Sequence, residues 1–147
     1  MIRLPHFLEP IPLPEHKHAI APAPVNTTSV LVVENEPAIR VLIASSLRRD
    51  GYYVAEATNG TSALDVAKAA GHIDVVVTDV HMPEMNGYAM AEALRVLQPD
   101  LDVILVSGYP IDRSKIGPHT RLLNKPFRYN DLLHAVEDMA GAPHRPN

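Results

Sequence analysis

The chain has 147 residues, 46% hydrophobic and 20% charged, with 13 Lys and Arg against 17 Asp and Glu for a formal net charge of −4. That size and composition fit one ordinary globular domain, and the charge argues against a chain built to bind nucleic acid phosphates. With no cysteine, disulfide frameworks, Cys-based zinc sites and thiol catalysis are excluded together. No apolar run approaches the roughly 18 residues of a membrane-spanning helix. The opening MIRLPHFLEPIPLP is broken by proline too often to hold the apolar region of a secretory signal. A cytoplasmic protein, with neither nucleic acid nor membrane as partner, is expected.

The first segment carries Pro5, Pro10, Pro12, Pro14, Pro22 and Pro24. Proline removes backbone donors and cannot continue a helix or a central strand, so residues 1–28 are expected to form an extended or disordered arm. From Ser29 the pattern changes, and residues 29–140 read as the folded domain, with 141–147 a flexible tail. Short β-branched runs (Ser29 to Val33, Tyr53 to Ala57, Asp74 to Thr78, Asp102 to Val106, Arg121 to Asn124) alternate with helical segments. The first, third and fourth runs lack in/out alternation, as strands covered on both faces do.

A first helix is predicted from Pro37 to Asp50, with Ile39, Leu42, Ile43 and Leu47 on one face and Gly51 as its stop. A second runs from about Thr61 to Ala70, a third from about Tyr88 to Leu97, and a last one from Tyr129 to Ala140 with Leu132, Leu133, Val136 and Met139 inward. Alternating β and α at this spacing predicts a doubly wound parallel sheet with helices on both faces. Ligands of such sheets sit beyond the carboxyl ends of the strands. There the sequence places Glu34-Asn35-Glu36, Thr78-Asp79, Ser107-Gly108 and Asn124-Lys125-Pro126-Phe127. No Gly-rich phosphate loop follows the first strand, so neither a dinucleotide nor a Walker reading is available. A cluster of oxygen donors with few nitrogens or sulfurs suits a hard cation such as Mg²⁺. Carboxylate, hard cation, hydroxyl and lysine together suit a phosphoryl group held between charges.

At this point the chain resembles the receiver domains of two-component response regulators, over about Ser29 to Ala140. The matching motifs are VVENEP for the acidic turn, VVVTDVHMPEMNGY around the acceptor, LVSGYP for the hydroxyl and LLNKPF for the lysine. The resemblance implies a flavodoxin-like, CheY-like five-stranded parallel sheet in the order 2-1-3-4-5. It implies that Asp79 is the phosphoacceptor, attacking a phosphohistidine on a histidine kinase or histidine phosphotransfer protein. Mg²⁺ would be held by Glu34, Asn35, Asp79 and the backbone carbonyl of His81. Lys125 would pair with the carboxylate and then with the phosphoryl oxygens, Ser107 would move in to hydrogen-bond them, and Pro126 would follow a cis peptide bond. Such a domain signals and is not an enzyme in the ordinary sense; only its own phosphorylation and dephosphorylation are expected.

Two departures from the family stand out. Its acidic turn usually carries two acids, and Asn35 brings an oxygen without a charge, so weaker metal binding is expected. Between the fourth and fifth strands, Pro110, Gly117 and Pro118 crowd the place of a full helix, so this fourth helix is expected to be short or irregular. Leu122 occupies the place of an aromatic residue that swings with the switch in many members. The short segment after the last helix leads us to expect a single-domain regulator whose output is altered binding to an unknown downstream protein, or a phosphorelay. Homodimerisation is left open.

Singly, Asp79 reads as a turn cap, Lys125 as a solvated lysine and Ser107-Gly108 as an ordinary turn; the four motifs in order carry the resemblance. Glu36 reads as a residue favoured at a helix N-terminus, Met82, Met85 and Met90 as packing residues, and His81 as a rim residue. Two other functions stand beside the leading one. A pseudo-receiver, docking partners without phosphate, is kept alive by Asn35 and opposed by Asp79, Ser107 and Lys125. A metal-dependent phosphatase or hydrolase on a similar sheet lacks a separate general acid or base near Asp79.

Overall fold

The computed structural model describes residues 27–141. The expected arm, apart from Thr27 and Thr28, and the expected tail beyond Gly141 lie outside the described residues. Thr28 is buried, and its carbonyl accepts the Tyr53 N–H at 3.1 Å.

The elements follow in the order β1 (Ser29–Val33), α1 (Pro37–Arg49), β2 (Tyr53–Ala57), α2 (Gly60–Ala70), β3 (Val75–Asp79), α3 (Gly87–Leu97), β4 (Asp102–Ser107), a 3₁₀ turn (Arg113–Lys115), β5 (Thr120–Asn124) and α4 (Tyr129–Ala140). All strand pairs are parallel and the sheet order is β2-β1-β3-β4-β5. The expected fold is therefore present. The single 3₁₀ turn is all the helix between β4 and β5, as the prolines and glycine there foretold.

The central strands supply alternate side chains to two cores. Leu31, Val33, Val76, Val103 and Leu105 face α2 and α3, packing on Ala63, Ala70, Met90 and Leu94. Val30, Val32, Val75, Val77, Ile104 and Val106 face α1 and α4, packing on Ala44, Leu47, Leu132 and Val136. Both helices of the first core start one residue earlier than the periodicity suggests. Asn59 accepts from the Ser62 N–H at 2.8 Å and Asn86 from the Ala89 N–H at 2.9 Å; as N-caps they make Gly60 and Gly87 the first helical residues.

One expectation fails. Leu42, assigned to the inner face of α1, is 66% exposed, while Ala44 is fully buried. The inner stripe of α1 includes Arg40 instead. Its Nη1 donates to the Glu34 carbonyl at 2.9 Å and its Nε stands 3.4 Å from Glu56 Oε1 on β2. Arg95 of α3 ties the crossover down in the missing helix's stead, its guanidinium donating to the Leu101 and His119 carbonyls and to Thr120 Oγ1.

The α1–α4 seam carries an alkaline signature. Tyr129 donates to Asp50 Oδ2 at 2.6 Å, and Tyr52 to the Gly141 carbonyl at 3.3 Å. Burial, with the charges of Glu137 and Asp50, pushes the Tyr52 phenol up to about 12 from 10.0. Burial, with the Asp50 hydrogen bond and charge, raises Tyr129 as well. A folded-state pKa above the unfolded one gives stability that is whole below the unfolded value and is lost as pH rises through the folded one. Urea midpoints should therefore fall between pH 10 and about 12. A Tyr52→Phe/Tyr129→Phe double variant should show a much shallower fall; an equally steep one would exclude these phenols as the cause.

Candidate functional site

Because every strand is parallel, all five carboxyl ends lie at one edge. In this strand order the chain leaves β1 toward β2 and β3 toward β4, so the crevice opens between β1 and β3. Glu34 follows β1 directly and Asp79 closes β3. Lys125 follows β5, and its Nζ lies 2.9 Å from Asp79 Oδ2, the two side chains 34% and 11% exposed. The other carboxylate oxygen, Oδ1, accepts the His81 backbone N–H at 3.1 Å. Asp79 is thus held at both oxygens.

Glu34 is buried at 5% exposure, and its Oε2 accepts the Glu36 N–H at 2.9 Å. Its Oε1 has no hydrogen-bond partner among the described residues. Glu34, Asp79 and Lys125 line one cleft of about 480 Å³, whose floor and walls are Val32, Val77, Val106, Ile39, Ile43 and Phe127. The Lys125 ammonium is depressed by burial, but the hydrogen bond and charge of Asp79 with the charges of Glu34 and Glu36 outweigh that and raise its pKa. It is therefore charged at neutral pH.

The remaining expected residues stand slightly apart. Asn35 is exposed and does not line the cleft. Ser107 is fully buried, its hydroxyl engaged with the Tyr109 backbone at 3.0 Å. The His81 ring is exposed and meets the Tyr109 ring edge-on, centroids 5.0 Å apart. The Lys125–Pro126 peptide is cis, as expected. Arg40, unnoticed in the sequence as a neighbour of the site, holds the Glu34 carbonyl; its position four residues after Glu36, one turn into α1, was the available signal.

Among the described residues no three His, Cys, Asp or Glu side chains converge as a metal cluster. The donors on offer are two carboxylates, an amide and backbone carbonyls. A buried carboxylate oxygen without a partner costs free energy unless something satisfies it, and a hard cation beside Glu34 and Asp79 would do so. The residues fit Mg²⁺.

The sequence model of the response regulator receiver domain matches residues 30–137. This chain belongs to that family. Receiver domains are signalling modules of two-component systems, not classical enzymes. The receiver is similar to the sensor kinase CckA of Brucella abortus, 35% identical over 94% of this chain but only 16% of that protein's length. It therefore spans about a sixth of that kinase. It is also similar to the response regulator receiver protein CpdR of the same organism, 28% identical over 75% of this chain and 94% of CpdR. Among solved structures it is similar to the response regulator TrrA of Thermotoga maritima, described as a complex with Mg²⁺ and BeF, with a TM-score of 0.65 and 28% identity over 76% of this chain and 98% of that one. Among the described residues no helix is long and apolar enough to cross a membrane.

Proposed function

We propose that this receiver takes a phosphoryl group onto Asp79 from a histidine kinase or histidine phosphotransfer protein and returns it as a change in binding to a downstream protein, or along a relay. The observation that carries this is the Asp79–Lys125 contact at 2.9 Å beside buried Glu34 in one cleft. An Asp79 oxygen attacks phosphorus, the P–N bond to the donor imidazole breaks with its electrons going to nitrogen, and an acyl phosphate forms. Lys125 keeps the carboxylate oriented and follows the charge onto the phosphoryl oxygens. Ser107 donates to one of them once its hydroxyl is released. Glu34, Asn35, Asp79 and the His81 carbonyl would hold Mg²⁺, which supplies positive charge against the anionic phosphoryl group.

Intact mass after incubation with acetyl phosphate tests this directly. An adduct requiring both Mg²⁺ and Asp79, and absent from Asp79→Asn, is expected. No adduct even at high Mg²⁺ would leave the pseudo-receiver, a docking module whose exposed, uncharged Asn35 is the feature in its favour. Asn35 also sets a graded prediction. An added charge a few ångströms from a dication is worth on the order of 1–2 kcal/mol even under water-like screening. Asn35→Asp should therefore raise Mg²⁺ affinity roughly tenfold, read from the Mg²⁺ dependence of the phosphorylation rate. An unchanged affinity would remove residue 35 from the metal's ligands.

A further inference from the structure

The Ser107 hydroxyl is bound twice by a single residue. It donates to the Tyr109 carbonyl and accepts from the Tyr109 N–H, each at 3.0 Å, while Ser107 itself is wholly buried. A hydroxyl has one proton. To give that proton to a phosphoryl oxygen on Asp79, Ser107 must take it away from Tyr109. The Tyr109 ring, meanwhile, stands edge-on to the His81 ring at 5.0 Å and 87°. His81 is tied through its own N–H to Asp79 Oδ1 at 3.1 Å. Each ring of the pair thus belongs to a residue whose backbone is bonded to the site, His81 to the acceptor carboxylate and Tyr109 to the hydroxyl.

Phe127 stands in the wall of the cleft, and among the described residues the fifth strand offers no aromatic relay. The fifth strand reads Thr120-Arg121-Leu122-Leu123-Asn124, and Leu122 is packed against the core that faces α2 and α3. Tyr109, by contrast, is 66% exposed. It opens a crossover whose only helical piece is Arg113–Lys115, so it can shift without breaking a helical ladder.

We propose that Tyr109 reports the phosphorylation state of Asp79 to the surface: withdrawal of the Ser107 proton frees the Tyr109 carbonyl, the ring leaves His81, and the repositioned Tyr109 side chain changes what a partner protein meets. This rests on Asp79 being the acceptor, and the test separates the two.

The full chain would carry 3-fluorotyrosine at position 109 and be observed by fluorine NMR with Mg²⁺ and beryllium fluoride, a phosphoryl mimic. Bound beryllofluoride gives its own fluorine signal, reporting the acceptor site independently of Tyr109. In the wild type, uptake should bring a new Tyr109 resonance. In Ser107→Ala, read at the beryllium fluoride concentration at which the bound signal shows its site filled, that shift should be lost, and Ser107→Thr, which keeps a hydroxyl, should restore it. An unmoved Tyr109 resonance on a filled site, or an equal shift in Ser107→Ala, would overturn the relay alone. No bound signal in the wild type would overturn the acceptor reading and the relay with it. His81→Ala removes only the second ring and needs no ligand. Its resting Tyr109 resonance should move toward the filled-site position, and a resting resonance unchanged from wild type would also overturn the proposal.

Discussion

Lys125→Met should slow phosphoryl transfer to Asp79 by about 10²–10³-fold while tightening Mg²⁺ binding. The two effects have one origin. Lys125 is a cation set among carboxylates: its Nζ is 2.9 Å from Asp79, and the charges of Asp79, Glu34 and Glu36 outweigh burial and raise its pKa. Removing it takes away the donor that meets the transferring oxygens, which lowers the rate. It also takes away the charge that repels a dication, which raises metal affinity. The substitution should further lower the melting temperature in Mg²⁺-free buffer, because Asp79 and Glu34 then face each other without a counter-charge, and saturating Mg²⁺ should recover most of the loss. Time courses of adduct formation and a Mg²⁺ titration of the melting temperature read both halves. A variant that phosphorylates within a few-fold of wild type would end the role assigned to Lys125.

The second large effect is expected at Gly87, the first residue of α3. A Cβ there would lie 2.6 Å from the Asp79 carbonyl oxygen and 3.0 Å from Val80 Cα. Both obstacles are backbone, and the Gly87 N–H is bonded to the Val80 carbonyl at 2.9 Å. Gly87→Ala must therefore push the end of β3 away or tilt α3, at a cost of about 1–3 kcal/mol, and either movement drags the acceptor carboxylate off Lys125. Loss of several degrees in melting temperature together with slower phosphorylation is expected. Gly60→Ala is the internal comparison. Its Cβ would meet the Met85 side chain, the sulfur at 2.7 Å and the Cβ at 2.9 Å; the thioether can turn aside and the loop that carries Met85 must give, but no atom of Asp79 or Val80 stands in the way. Equal damage from the two substitutions would mean that the backbone approach at Gly87 is not what limits the site.

The sheet was legible because its three inner strands are nearly pure β-branched runs that only a doubly covered parallel sheet can bury, and the carboxyl edge followed from the topology. Asp79 and Lys125 were legible only from the four strand-end motifs taken together, and the structure brings the two into contact. What escaped was the facing of α1. Successive residues turn by about 100°, and a face drawn through the large apolar residues Ile39, Leu42, Ile43 and Leu47 alone takes in Leu42. The Arg40 guanidinium in fact lies inward, because Glu56 on a neighbouring strand and the Glu34 carbonyl satisfy it. No local pattern announces a partner sixteen residues away. The hydroxyl of Ser107 escaped for a similar reason. Sequence indicates a strand-end serine, but only coordinates reveal that Tyr109 already occupies it.

The α1–β2 charge group has a consequence for how this chain can drift over generations. Glu56 takes Arg40 on one oxygen and Arg48 on the other, the latter at 2.9 Å, and Arg48 also caps the Val54 carbonyl. Neutralising Glu56 alone would strand a guanidinium within the buried stripe of a helix, whereas losing Arg40 alone would free the backbone of the acidic turn. Either single step carries the cost of a broken half-buried pair. Positions 40, 48 and 56 should therefore covary among related chains, passing from charged to neutral as a group, with position 40 the slowest of the three because it alone touches the acidic turn.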